Sequence, residues 1–317
     1  MKIFAYLILL LFTKSFITAT NYYVAVSYGD DTNNGLNINA PFKTIGKAAS
    51  IMSSGDKCYI RQGRYHETIS IDNLDGTSSA PVIFTNYNNE RVVIDGTIPI
   101  NSTWVQIGSS NLWRTKLTQD IWQLFINWEE QLMARWPNAK FSDGTIWDND
   151  NHWAKGTIDD DENAYSNGAI IDDPYTNSAG TLISLSAQSF DLDETNKEAI
   201  AILNLGSFRT WSRLVTSHSG NTFNYATVPN WKTKHHYYYL EGRKEFLDQE
   251  GEWWFDTYNN KDSLYYVAAS GVDPNKLDFR GKVQSYAFSV NASEYLQIKN
   301  LEFFATTVYF SNADNCL

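Results

Sequence analysis

One segment of the chain, WKTKHHYYYLEGRKEF at residues 231–246, brings basic groups and aromatic rings close together. His235 and His236 are adjacent, and adjacent side chains on a strand face opposite ways, so the two cannot form one metal pair. Either histidine could act as a general acid or base, or be packed or solvated. Tyr238 lies among four cationic residues, which are Lys232, Lys234, Arg243 and Lys244. This local positive charge would suit a ligand that carries carboxylates.

Carboxylates recur just beyond this segment, at Asp248, Glu250, Glu252 and Asp256. Two carboxylates about 5 Å or about 6.5–9.5 Å apart can hydrolyse a glycosidic bond. The sequence does not supply that distance, and a structural hairpin would explain the same residues. Two acidic runs, DDDE at residues 159–162 and DD at residues 172–173, could bind calcium through oxygen ligands, or could be solvated loops. Apart from calcium, no metal and no cofactor is expected.

Aromatic residues make up 15% of the chain, and all eleven tryptophans lie between residues 104 and 254. Tyr and Trp can stack on the apolar faces of sugar rings while their polar atoms form hydrogen bonds. In addition to the histidines and Tyr238, we take Arg135, Trp136, Trp253 and Trp254 as candidate glycan contacts. The alternative is that these side chains pack the interior, with Pro137 ending a strand and Arg135 paired internally.

Charge and composition exclude several classes of protein. The 317 residues carry a formal net charge of −11, so binding to nucleic acid or to an anionic membrane surface is not expected. A hydrophobic content of 43% is enough for a sizeable core. Residues 1–20, MKIFAYLILLLFTKSFITAT, have the layout of a secretory signal peptide. We therefore expect a secreted protein, and no later segment is apolar enough to span a membrane.

Secretion raises the question of covalent modification. Asn101 and Asn291 each begin an Asn-X-Ser/Thr triplet and are candidate glycosylation sites. A disulfide between Cys58 and Cys316 is compatible with an oxidising compartment. The alternative for Cys58 is a small buried core residue, because it falls at an inward position of a predicted strand.

The pattern along the chain predicts an all-β protein. Short strands at residues 22–26, 82–85 and 91–94 are separated by Gly- and Asn-rich turns, and a helix is predicted from Pro41 to Met52. This pattern is interrupted by a Trp-rich region with long polar loops, and the alternation of short strands and Asn-containing turns returns in YAFSVNASEYLQIKNLEFF. We therefore divide the chain into residues 21–103, an inserted β-rich subdomain at 104–283, and residues 284–317. Periodicity alone leaves stacked coils and a sandwich as alternatives.

Specific residues add a resemblance to a known family. Residues 22–66 resemble the N-terminal cap and first coil of secreted proteins of the pectate-lyase-like superfamily. The resemblance depends on four stretches: YYV at 22–24, GDDTNNG at 29–35, PFKTI at 41–45 and GDKCYIRQGRY at 55–65. MARWPN, LDQEGEWWFD and LYYV are similar to segments of large secreted carbohydrate-active enzymes of that type, both glycoside hydrolases and polysaccharide lyases.

The resemblance implies a right-handed parallel β-helix with an N-terminal helix cap and an inserted subdomain. It also implies that this chain matches only the N-terminal part of such an enzyme, so we expect it to be C-terminally incomplete. The expected function is a secreted polysaccharide-degrading protein of glycoside-hydrolase type. The alternatives are a non-catalytic glycan-binding or cell-surface module and a polysaccharide lyase. The catalytic residues stay unknown, and an uncapped last coil would allow self-association.

Overall fold

The computed structural model describes residues 19–157, 168–192, 199–206, 209–228, 237–256 and 262–317. The chain divides into two compact units. Unit 1 consists of the described residues up to Thr97 together with Gln284–Leu317, and unit 2 is Ile98–Val283. The sequence predicts an insertion at residues 104–283, and unit 2 begins six residues earlier. His235 and His236, the acidic run at 159–162 and residues 1–18 lie outside the described residues.

The structure is all-β, and its helices are short. The first strands are β1 (Asn21–Val24), β2 (Lys57–Ile60), β3 (Gly63–Tyr65), β4 (Ile69–Asp72), β5 (Val82–Asn86), β6 (Val92–Asp95) and β7 (Thr97–Pro99). The next are β8 (Val105–Gln106), β9 (Leu112–Lys116), β10 (Leu124–Ile126), β11 (Glu129–Met133), β12 (Arg135–Trp136), β13 (Ala154–Thr157), β14 (Ala169–Asp172), β15 (Tyr175–Thr176) and β16 (Leu182–Ile183). These are followed by β17 (Ile200–Gly206), β18 (Arg209–Ser219), β19 (Thr222–Tyr225), β20 (Tyr237–Glu241), β21 (Glu252–Asp256), β22 (Ser263–Val267) and β23 (Phe279–Lys282).

The last strands are β24 (Tyr286–Asn291), β25 (Leu296–Lys299), β26 (Glu302–Phe304) and β27 (Thr307–Ser311). The α-helices are α1 (Ile45–Ala49) and α2 (Asn149–His152). Four 3-10 turns complete the described elements, at Thr145–Trp147, Leu185–Ala187, Lys244–Phe246 and Pro274–Lys276. No helix in the described part of the chain has the length and apolar character needed to cross a bilayer.

Unit 1 is built from three sheets whose strands are parallel. Their strand orders are β1-β2-β5-β25, β4-β24-β27 and β3-β6-β26. Cys58 on β2 aligns with Phe84 on β5. Both side chains are fully buried, because alternate residues of a strand point inward. Cys58 is a free thiol in this core, as the packing alternative predicted, and its burial raises the pKa of the thiol. Cys316 is also free.

Helix α1 is shorter than the sequence predicts. Thr44 has extended backbone angles and its side chain accepts a hydrogen bond from the Lys47 amide, so the helix begins only at Ile45. The Glu67 carboxylate accepts hydrogen bonds from the Ile45 and Gly46 amides at 2.9 Å each. These contacts satisfy the first amides of the helix, and Ile45 and Ala48 are buried in the core of unit 1.

Unit 2 contains two large sheets, and each has its own core. The eight-stranded sheet has the order β7-β23-β10-β11-β21-β22-β9-β8, and Trp253 and Leu264 lie in its core. The seven-stranded sheet has the order β12-β20-β13-β14-β19-β18-β17, and an added pairing of β17 with β20 closes it on itself. The predicted hairpin of β21 and β22 is confirmed by the antiparallel pairing of Trp253 with Tyr266. Its turn at 257–261 lies outside the described residues.

Candidate functional site

The structure places Arg135 in the interior of unit 2. Its side chain is fully buried, Nε donates to the Pro137 carbonyl at 2.9 Å, and Nη2 donates to the His152 carbonyl at 2.9 Å. The guanidinium also lies 3.7 Å from the centre of the Tyr239 ring. Burial lowers the pKa of Arg135 to about 10. Nη1 has no hydrogen-bond partner among the described residues, so the role of Arg135 as a glycan contact stays a prediction, although two of its donor groups serve backbone carbonyls.

Three of the predicted aromatic contacts are also buried. The Tyr238 hydroxyl donates to Asp172 Oδ1 at 2.6 Å, inside the core of the closed sheet. The indole nitrogens of Trp253 and Trp254 donate to the carbonyls of Gln131 and Gly242. All three side chains are less than a tenth exposed. Their burial favours the packing alternative, and their role as glycan contacts stays a prediction.

The remaining candidates have different outcomes. Trp136 is half-buried against Phe190 and Tyr238, so its role as a contact stays a prediction. Asn101 is exposed, whereas the Asn291 side chain donates to Asp72 Oδ1 at 3.0 Å on the surface of a parallel sheet. Neither glycosylation site is tested. Asp172 is buried and bonded to protein groups, and the described residues contain no cluster of three His, Cys, Asp or Glu that could hold a metal ion.

The described part of unit 2 holds an open cavity of about 560 Å³ that we call the glutamate cleft. It is lined by residues from the hairpin of β10 and β11, from the loop after β12 and from the start of β21. The lining residues are Glu129, Glu130, Gln131, Leu132, Ala139, Lys140, Phe141, Ser142, Glu250, Gly251, Glu252 and Tyr266. Three exposed carboxylates, the buried carboxyl of Glu252 and one ammonium group make this surface acidic. A polyanion would be repelled from it.

Strand pairing brings the carboxylates together. β11 pairs antiparallel with β10, and its Leu132 aligns with Glu252 on the parallel neighbour β21. Glu129, Glu130 and Glu250 are exposed, whereas Glu252 is only 2% exposed. Oε2 of Glu252 accepts hydrogen bonds from the amides of Asp248 and Gln249, and burial still raises the pKa of this carboxyl to about 7. Glu252 therefore holds the loop before β21 and forms the wall of the cleft.

A folded loop, residues 140–148, forms another wall. The Lys140 amide donates to Thr145 Oγ1 at 2.8 Å, and the Thr145 amide donates to Asp143 Oδ1 at 3.0 Å. The Trp147 amide donates to the Gly144 carbonyl. Gly144 itself has a left-handed φ of 76°, which glycine tolerates because it lacks a side chain. The loop leaves the Phe141 ring 40% exposed and the Trp147 indole 80% exposed. Two aromatic side chains of one hydrogen-bonded loop are therefore accessible to a ligand.

The cleft offers the contacts that a sugar chain needs. Sugar hydroxyls donate hydrogen bonds, and carboxylates are strong acceptors. Aromatic faces can cover the apolar C–H faces of a sugar ring. The sequence did not identify Glu129, Glu130, Phe141 or Trp147, because FSDGTIWDND reads as a polar loop and only the fold shows that its aromatic rings face solvent. An aromatic pair flanking a turn-rich segment is the signal that could have found them.

The chain was compared with known proteins, and no family model matches it. Over 76 residues, 24% of the chain, it is 38% identical to "Uncharacterized protein YwoF" of Bacillus subtilis (strain 168). Over 81 residues, 25% of the chain, it is 35% identical to "Pectate lyase PEL9" of Emericella nidulans. These matches span 16% and 19% of the two relatives. The chain also resembles the solved structure of a "Glycoside hydrolase", with a TM-score of 0.63 and 17% identity over 90% of this chain and 50% of that one. That likeness shows the fold alone.

Proposed function

We propose that this protein is carbohydrate-active and that its glutamate cleft binds a neutral glycan chain. The 81-residue likeness to a pectate lyase and the shared fold with a glycoside hydrolase support the broad class. We further propose that the three parallel sheets of unit 1 form the start of a right-handed parallel β-helix capped by α1, and that the protein is secreted. The acidic lining of the cleft favours neutral sugars over uronates.

The observation that carries this proposal is the position of Trp147. Its indole is 80% exposed on a loop whose own hydrogen bonds fix it, and that loop lines the cleft through Lys140 and Phe141. The exposed indole on this loop would supply the stacking part of sugar recognition, and the carboxylates that line the cleft would supply the hydrogen-bonding part.

Hydrolysis is a second candidate function, and Glu252 favours it. A carboxyl with a pKa of about 7 keeps its proton in part of the molecules at neutral pH and can act as a general acid, with exposed Glu250 as a carboxylate nearby in sequence. The 2% exposure of Glu252 restricts its contact with a substrate, which is why binding is placed first. The lyase alternative draws on the basic, aromatic segment at residues 231–246, of which residues 231–236, including His235 and His236, lie outside the described residues.

Isothermal titration with xylohexaose, cellohexaose and β-1,4-galactohexaose tests the binding proposal. We expect one of these neutral probes to bind, and Trp147→Ala to weaken its binding about three- to tenfold through loss of stacking. Trp122→Ala is the matched control, because Trp122 is 49% exposed and lies outside the loop at 140–148 that lines the cleft. Binding of none of the probes, or equal effects of the two substitutions, would contradict the proposal.

Release of reducing ends from the bound probe tests hydrolysis separately. If Glu252 donates a proton, the rate should fall as the pH rises through about 7, because the ionised carboxylate has no proton to give. Glu250→Gln should abolish turnover while retaining the fold. Binding without any release of reducing ends would leave the non-catalytic module as the function.

A further inference from the structure

Three tyrosines form an aromatic surface on unit 1, outside the glutamate cleft. Tyr23 on β1 aligns with Tyr59 on β2, and Tyr87 follows the end of β5. The Tyr23 and Tyr59 rings stack with centres 5.8 Å apart and planes 25° apart. The Tyr87 ring meets both edge-on, at 5.9 Å and 6.0 Å. We call this set the tyrosine surface.

The tyrosine surface lies on the outer face of its parallel sheet. The neighbours Val24, Cys58 and Ile60 point into the core and are fully buried, whereas the three tyrosines are only half-buried. Within the described residues their hydroxyl groups make no hydrogen bond, so they are available to a ligand. The three rings therefore present apolar faces and free donors together, as sugar-binding aromatic residues do.

Cations border this surface. Lys57 lies two residues before Tyr59, so both side chains share one face of β2. Thr85 on β5 aligns with Tyr59 on one side and with Lys299 of β25 on the other, so Lys299 lies on the same face two strands away. Lys299 donates to Gln297 at 3.1 Å, and neither lysine forms an ion pair with any described residue. Arg61, at the Tyr87 end, pairs with Glu90 at 2.8 Å and lies 5.3 Å from the Tyr87 ring centre. The face carries a net positive charge in a protein whose net charge is −11.

We propose that the tyrosine surface is a second glycan-binding site, and that its ligand is an acidic glycan built from uronates. The rings cover the sugar faces, and Lys57 and Lys299 pair with the carboxylates. This inference rests on the proposal that the protein is carbohydrate-active, but it uses different residues and the opposite charge preference from the glutamate cleft.

Titration of the whole protein with hexagalacturonate tests this site. We expect binding that weakens at least tenfold in Tyr59→Ala and several-fold in Lys57→Ala, and that weakens when salt rises from 50 to 300 mM. Tyr59→Phe should keep most of the affinity, because the ring is retained. Tyr309→Ala is the matched control: Tyr309 is exposed and stacks on Tyr286 at 5.1 Å, on a different sheet of unit 1. Thermal melts followed by circular dichroism check that each variant is folded.

Three results would overturn the inference. The first is that hexagalacturonate does not bind. The second is that Tyr59→Ala and Tyr309→Ala lose the same amount of affinity for it. The third is that Tyr59→Ala weakens the binding of xylohexaose but not that of hexagalacturonate. Trp147→Ala separates this inference from the proposed function. That substitution should leave hexagalacturonate binding unchanged, so failure of the glutamate cleft and failure of the tyrosine surface give different patterns.

Discussion

Arg135 shows how a charged side chain can serve the interior of unit 2. Its guanidinium satisfies the carbonyls of Pro137 and His152 and stacks on Tyr239 at the same time. A lysine has the same charge but only a single ammonium on a flexible stem, so it cannot reproduce the planar arrangement. Arginine at this position is therefore fixed by geometry as well as by charge.

We expect Arg135→Lys to lower the free energy of unfolding by about 2–4 kcal/mol, because two buried carbonyls lose their donor. Urea unfolding followed by fluorescence measures this loss. Arg114→Lys, on an exposed position of β9, is the control and should stay within about 0.5 kcal/mol of the parent protein. A loss of the same size in both variants would show that Arg135 has no special structural role.

Glu241 makes a specific contribution to the pH dependence of stability. It aligns with Arg135 across the pair of β12 and β20, and burial raises its pKa from 4.5 to about 7, although Arg135 opposes the shift. The folded state thus holds a proton that the unfolded state releases. This contribution to stability is complete below about pH 4.5 and is lost as the pH rises through about 7.

We therefore expect Glu241→Gln to gain stability relative to the parent protein, by about 2–3 kcal/mol, between pH 4.5 and pH 8. Urea unfolding at several pH values in this range measures the difference. Glu129→Gln alters an exposed carboxylate of the same unit and is the control. If the stability curves of Glu241→Gln and the parent protein run parallel, the buried carboxyl does not titrate as proposed.

Burial divides the tryptophans of unit 2 in a way that the sequence does not reveal. Trp253 and Trp254 are adjacent, so alternation predicts that one of them faces out, yet both are buried. Trp147 lies in a segment with no periodicity and is 80% exposed. The sequence therefore does not separate buried from exposed aromatic residues, because solvent exposure depends on segments from distant parts of the chain.

At the scale of elements the sequence is more informative. The strands predicted at 22–26, 82–85 and 91–94 correspond to β1, β5 and β6, because period-two alternation and Asn-rich turns are local signals. The partner strands are not local. β25 pairs with β5 although more than 200 residues separate them, and no local pattern specifies that register. The helix length was overestimated because its start is set by Asp31 and Glu67, which come from other segments.

Glu67 is the clearest case of an element fixed by a distant residue. Its two carboxylate oxygens accept hydrogen bonds from the first two amides of α1, and the amides have no partner within so short a helix. We expect Glu67→Ala to destabilise unit 1 by about 1–2 kcal/mol. Thermal unfolding followed by circular dichroism measures the loss. Glu294→Ala, at an exposed position of unit 1, should have little effect, and an equal loss there would contradict the capping role.

At the scale of the whole molecule, the chain leaves unit 1 to form unit 2 and returns to unit 1 at a neighbouring residue. The Gln284 amide donates to the Gly96 carbonyl at 3.2 Å, so the residues on either side of Ile98–Val283 are hydrogen-bonded neighbours. The sequence predicts the insertion from a change of composition and its return, because the Trp-rich region differs from the flanking strands and their Asn-rich turns. A segment whose ends meet, and which has two cores of its own, has the properties of an independently folding domain.

We expect residues 98–283, expressed alone, to fold and to keep the glutamate cleft intact. The fragment should unfold in one cooperative thermal transition, since both of its cores are made entirely from its own residues. It should bind the neutral hexasaccharide with a Kd within about twofold of that of the whole chain, and it should lose hexagalacturonate binding, because the tyrosine surface belongs to unit 1. Trp147→Ala in the fragment should reproduce the loss seen in the whole chain. A fragment that does not fold, or that binds the neutral probe more than tenfold more weakly, would show that the cleft depends on unit 1.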